Sequence, residues 1–141
     1  MLTSTTSDAT GARPRCHNWL LTARREDLAR FRRLASTAMR EWGQPPRVIE
    51  VVLHGVTELL SNVARHVQDP RCRLELAVVD GAVRVAVHDR SPVLPTITLP
   101  DWTAEAGRGL WLLREMTDDL GFETTEDGKS VWIRVSADPL G

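Results

Sequence analysis

Apolar positions recur along the chain with two periods, and each change of period marks an element boundary. Residues 1–13 are Ser/Thr-rich and carry no period, which predicts a flexible tail ahead of a single domain over residues 14–137. CHNWLLT (16–22) reads as a short strand. Residues 24–42 then place Leu28, Phe31, Ala35, Ala38 and Trp42 at spacings of three and four. That is the stripe of an amphipathic helix, which Gly43 and the Pro45-Pro46 pair terminate. Pro46 suits a first helical turn, and Ile49, Val52, Leu53, Val56, Leu60, Val63 and Val67 draw a second stripe over residues 47–67.

Past Asp69-Pro70 the period falls to two. RLELAVVDGAVRVAVHD alternates on both sides of Asp80-Gly81, with Leu74, Leu76 and Val78 before the turn and Val83, Val85 and Val87 after it, the signature of a tight hairpin. A Pro-rich, aperiodic stretch from Arg90 to about Ala106 is too long for a plain connection and predicts a functional loop. Leu110, Leu113, Met116 and Leu120 predict a third helix over residues 108–120, and GFETTEDGKSVWIRV a second hairpin turning at Asp127-Gly128. The order strand, helix, helix, hairpin, loop, helix, hairpin predicts an α+β fold. It would be a two-layer sandwich with a mixed, mostly antiparallel sheet and its helices on one face.

Composition narrows the partners. With 141 residues, 42% of them hydrophobic, the chain is large enough to bury a core, and a net charge of -1 gives no bulk attraction to nucleic acid. Seventeen of the 18 basic residues are Arg; Lys129 is the one lysine, and the arginines are spread along the chain instead of gathered into a patch. Cys16 and Cys72 form neither a disulfide framework nor a metal set. The start of the chain has no basic and apolar leader, and no run reaches the ~18 apolar residues of a membrane span, so a soluble cytoplasmic protein is expected.

Three short stretches carry candidate chemistry. In TELLSNVARH, a rotation of about 100° per residue puts Val51, Gly55, Glu58 and Asn62 on one strip of the second helix, apart from the core stripe. Gly55 is unfavourable inside a helix by about 1 kcal/mol relative to Ala, which predicts a close neighbour there. Asp89 closes the first hairpin. A carboxylate is acceptor-only, so at a pocket mouth it would take a hydrogen bond from adenine's exocyclic amine and oppose guanine's carbonyl, selecting ATP over GTP. GRGL (107–110) opens the third helix, where glycines let a backbone approach an anion. Arg65 and Arg108 are candidates for neutralising phosphate charge, and His66 is read as a surface or packing residue.

Taken in order, a helix with Glu-x-x-x-Asn, a hairpin ending in Asp, a loop, G-x-G-L and a hairpin with GKSVW resemble the Bergerat-fold (GHKL) histidine-kinase-like ATPase domain, in its serine-protein-kinase anti-sigma factor branch. The resemblance runs from about Cys16 to Val135. It implies ATP and Mg2+ as ligands, with Glu58 activating the attacking hydroxyl and Asn62 binding magnesium. Asp89 would contact adenine, and Gly107, Arg108, Gly109 and Leu110 would lie beside the phosphates, with Arg65 near them. Residues from about Val93 to Ala106 would form a lid, and Ser130 would support the adenine site. D-R-S-P stands where the wider superfamily has D-x-G-x-G, as in the anti-sigma-like branch. The partners the resemblance implies are a sigma factor or similar regulator and an anti-anti-sigma (STAS-type) antagonist, with homodimerisation also implied and neither nucleic acid nor membrane involved. The chain carries no sensor-kinase dimerisation helices or phospho-acceptor histidine, so transfer to another protein in trans is expected. A protein-binding module of the same fold without catalysis is the other reading.

Overall fold

The computed structural model describes residues 15–95 and 109–137. Strand β1 (Cys16–Thr22) leads through a single 3-10 turn (Arg25–Asp27) into helix α1 (Leu28–Glu41), followed by helix α2 (Pro46–His66). Strands β2 (Arg71–Val79) and β3 (Ala82–Asp89) come next, then helix α3 (Gly109–Met116) and strands β4 (Asp119–Thr124) and β5 (Lys129–Ser136). The five strands form one sheet in the order β1-β2-β3-β5-β4, and every pairing is antiparallel. The fold is α+β as expected, although the sheet is antiparallel throughout the described residues and not mixed.

Each alternating run puts its apolar residues on one face of this sheet. Trp19, Leu74, Val87 and Val131 are cross-strand neighbours, as are Leu76, Val85 and Ile133, and all are buried. Helix α2 lies against β3 and β5 and is flanked by α1 and α3, which makes it the central helix. Its buried residues are Val48, Val52, Gly55, Val56, Leu59, Leu60 and Val63, a wider arc than the predicted stripe because it meets the sheet and both other helices. Gly55 has the close neighbour its helix penalty predicts: a Cβ there would overlap Ile133 Cδ1 and touch Leu113.

The turns obey their local chemistry. Asp80 and Gly81 both have positive φ, 52° and 78°, as a two-residue hairpin with the right strand twist requires. At the second hairpin the connection is longer, residues 125–128, and Gly128 serves close packing, since a Cβ would overlap the backbone of Asp89 and Arg90. The third helix is shorter than the sequence predicts. Asp118 donates its backbone N–H to the Arg134 carbonyl (2.9 Å) and Leu120 pairs with Ile133, so the sheet claims the last predicted helical turn.

Candidate functional site

Glu58, Asn62 and Arg65 follow one another at intervals of four and three on α2 and therefore share a face. That face forms one wall of a cavity of about 530 Å³. His66 lies at the end of the same wall; Gly109 and Leu110, which open α3, form a second. Ser91, Val93, Leu94 and Pro95, just after β3, form a third, and Lys129, at the start of β5, completes the lining. The first N–H groups of any helix lack intrahelical acceptors, so α3 brings that donor-rich end to the cavity. Gly107, Arg108 and residues 96–106 of the predicted lid lie outside the described residues.

Two close approaches shape the cavity. The Glu58 carboxylate packs so tightly on Gly109 that a Cβ added there would overlap Glu58 Oε2. This spot has room for a carboxylate only because residue 109 has no side chain. At the other end, Asp89 is buried and does not line the cavity. Its carboxylate accepts the backbone N–H of Ser91 (2.8 Å) and is ion-paired with Lys129 Nζ, 3.1 Å from Oδ1 and 2.9 Å from Oδ2. Lys129 is equally buried and also donates to the Ser91 carbonyl at 3.5 Å. Such a pair endures out of water only when each charge is matched and further hydrogen bonds satisfy it, which these contacts supply.

Ser130 takes a different position from the one the resemblance implies. Cross-strand register sets Lys129 beside Asp89 and Ser130 between His88 and Glu123, so Ser130 is on the sheet face away from the helices. Its hydroxyl is buried with no hydrogen-bond partner among the described residues. His66, Ser91 and Lys129 line the cavity without having been expected there from the sequence. The alternation of Val131, Ile133 and Val135, extended back by two, would have placed Lys129 inward.

A second hollow, of about 760 Å³, crosses the end of the sheet beside Arg71, Arg73, Arg90 and His88. Although larger, it is less suited to an anion because its cations are already engaged. Arg71 and Arg90 contact Asp69 at 2.8 and 3.5 Å, and Arg73 donates to Asn18 Oδ1 at 2.6 Å. The Arg71 guanidinium holds the Asp69 carboxyl down at about 2. Burial, reinforced by Arg73, lowers the pKa of His88, so its imidazole adds no charge near neutral pH.

The residues around the smaller cavity fit a magnesium nucleotide. Among the described residues no group of three or more His, Cys, Asp or Glu could hold a metal by itself. Magnesium does not need such a cage, because it is commonly held by one or two side-chain oxygens and by substrate phosphates. Asn62 Oδ1 and the Glu58 carboxylate are oxygen donors of that kind on one cavity wall. Arg65 and the open end of α3 provide the positive partners for phosphate.

Residues 21–135 match the family described as the histidine kinase-like ATPase domain, and the chain belongs to that family. Among solved structures, the RsbU and RsbW domains of Rv1364c from Mycobacterium tuberculosis are similar, with a TM-score of 0.66 at 17% identity. The match covers 86% of this chain and 32% of that one, and at this identity it concerns the fold alone. No curated protein matches the sequence. Among the described residues no helix is long and apolar enough to cross a membrane.

Proposed function

We propose that this chain is an ATP-dependent protein serine kinase of the anti-sigma type, binding a transcription regulator and phosphorylating a serine on an antagonist protein. The observation that carries the reading is the convergence of Glu58, Asn62, Arg65, Gly109 and Leu110, from two separate helices, on one cavity. In the proposed reaction the serine oxygen bonds to the γ-phosphorus, the bond to the bridging oxygen breaks, ADP leaves, and Glu58 takes the hydroxyl proton. Magnesium, when bound, offsets charge on the phosphates, and Asn62 is the side chain that would hold it. Arg65 and the N-terminal end of α3 orient the phosphates, while Asp89 and Lys129 stand at the base end.

One observation favours a second reading, a binding module without catalysis: Asp89 already has an ionic partner, Lys129, at the place where a nucleobase would bond. Calorimetry with Mg-ATP, followed by incubation with radiolabelled ATP and STAS-type antagonists, separates the two. The kinase binds Mg-ATP and labels a serine in the antagonist, and Glu58→Ala binds without labelling. Absence of both heat and label with a folded protein would establish the binding module instead.

A further inference from the structure

Helix α1 turns a row of arginines outward. Phe31, Ala35, Ala38 and Met39 are its buried residues, and Ala29, Arg30, Arg32, Arg33, Thr37 and Arg40 are exposed. No acid lies between Asp27 and Glu41. Among the described residues these four arginines make no ion pair, whereas Arg71, Arg73, Arg84 and Arg90, on or beside the sheet, each contact Asp69 or Glu75. Helix stability does not account for the row. Arg30 and Arg33 are like charges one turn apart, and Arg30 stands in the first turn, where the macrodipole favours an acid. The cavity does not account for it either, because no described residue of α1 lines that space.

From this we propose that the exposed face of α1 docks an acidic helix of a partner protein. Ala29, Arg33, Ser36 and Arg40 follow at intervals of four, three and four and share one strip. Arg33 and Arg40 are two turns apart, about 10 Å, and match carboxylates at the same spacing on an apposed helix. The small side chains of Ala29 and Ser36 leave a shallow groove beside them for its close approach. The ends of the row select the class of partner. Glu26 and Asp27 precede it and Glu41 follows it, so the positive surface is one helix long and bounded by negative charge. A discrete acidic helix fits between those limits, while a nucleic-acid duplex, with a charge every ~1.7 Å, runs past them. A lipid surface requires large apolar side chains beside the cations, and the exposed neighbours here are Ala29 and Thr37. The face lies apart from the cavity, so the inference stands or falls independently of the nucleotide reading and goes beyond it.

The probe is a labelled, stapled helical peptide of Ala and Gln with glutamates at i, i+3 and i+7 on one face, titrated with the full-length protein by fluorescence anisotropy. Wild type is expected to bind it at least about tenfold more tightly than the same peptide with Gln for Glu. Arg33→Glu/Arg40→Glu alters two exposed positions and should melt like the wild type. It should lose about tenfold or more in affinity for the Glu peptide and gain the Lys-for-Glu peptide that wild type rejects. Should the reversed variant not fold, Arg33→Gln/Arg40→Gln replaces it, with the same loss expected. Arg15→Glu/Arg114→Glu changes the net charge equally away from α1 and should shift the Glu-peptide affinity by less than about twofold. Equal losses in the two reversed variants would reduce the binding to bulk charge and overturn the inference. No preference of wild type for the Glu peptide over the Gln peptide would overturn it as well. So would tighter binding of a DNA duplex of about 20 base pairs, or of phosphatidylserine vesicles, abolished by Arg33→Glu/Arg40→Glu, since the row would then belong to nucleic acid or to a membrane.

Discussion

The Glu58 carboxylate rests directly on the backbone of Gly109, a contact between two helices that leaves no volume for a side chain at residue 109. Gly109→Ala therefore moves the carboxylate. Because the overlapping atom is the tip of a mobile side chain, and Ala suits a helix start better than Gly, stability should change by less than about 1 kcal/mol. A base displaced by about 1 Å costs on the order of a hundredfold in rate. Gly109→Ala is thus expected to melt like the wild type while losing label transfer to an antagonist. The Glu58→Ala/Gly109→Ala double variant should lose no more than Glu58→Ala alone, since both act through one group. Full transfer by Gly109→Ala would mean that Glu58 is not the base.

Asp89 and Lys129 are buried as a pair, which determines how variants at either position must be read. Asp89→Asn leaves a buried ammonium without its counter-charge, and breaking such a pair typically costs about 3–5 kcal/mol. Removing both charges together, as in Asp89→Asn/Lys129→Met, should recover most of that loss. Urea denaturation of the two singles and the double measures the coupling. Additive single-variant effects would show that the two charges do not depend on one another.

How far the sequence could be read follows from these same residues. The inward alternation of β2, β3 and β5 and the strip Val51, Gly55, Glu58, Asn62 follow from periods of 2 and 3.6, which are local properties. Gly55 announced a close neighbour through its helix penalty, though only the fold identifies it as Ile133. The partner of Asp89 was beyond reach because it depends on register between strands 40 positions apart. A motif-based assignment put weight on Ser130, whereas strand alternation turns Ser130 outward and Lys129 inward. The end of α3 departs from the helical period for a related reason: Leu120 fits that period, but its pairing with Ile133 in the sheet wins.

The contact between Gly55 and Ile133 is narrow enough to be tested atom by atom. A Cβ at residue 55 overlaps only Cδ1 of Ile133, with Cγ1 at an acceptable 3.6 Å. Gly55→Ala gains about 1 kcal/mol of helix propensity and loses about 1–3 kcal/mol to overpacking in a core where Ile133 is fully buried. Ile133→Val deletes Cδ1 at a cost of about 0.5–1.5 kcal/mol. In that background Gly55→Ala should become stabilising, giving a favourable coupling of at least about 1 kcal/mol in chemical denaturation. Equal effects of Gly55→Ala in the two backgrounds would show that α2 and β5 do not meet at this point.

Cys72 lies on the helix-facing side of β2, paired with Asp89, and burial followed by the Asp89 charge pushes its thiol up to about 12. In the unfolded chain the same thiol ionises near 8.5. Its contribution is therefore complete below about pH 8.5 and is lost as pH rises towards the folded value, because only the unfolded state releases the proton in that window. Between about pH 9 and 11 the unfolding free energy should fall by up to about 1.4 kcal/mol per pH unit from this group. The chain has no tyrosine to titrate in the same range, and Cys16, raised by burial to a lesser degree, adds a smaller slope of the same sign. Cys72→Ala should flatten the curve of denaturation midpoint against pH while leaving its shape below pH 8 unchanged. For the same reason Ellman's reagent at neutral pH should modify Cys16 well before Cys72, whose labelling should wait on unfolding. Rapid labelling of both thiols in the native protein, with an unaltered alkaline slope in Cys72→Ala, would place Cys72 outside the core.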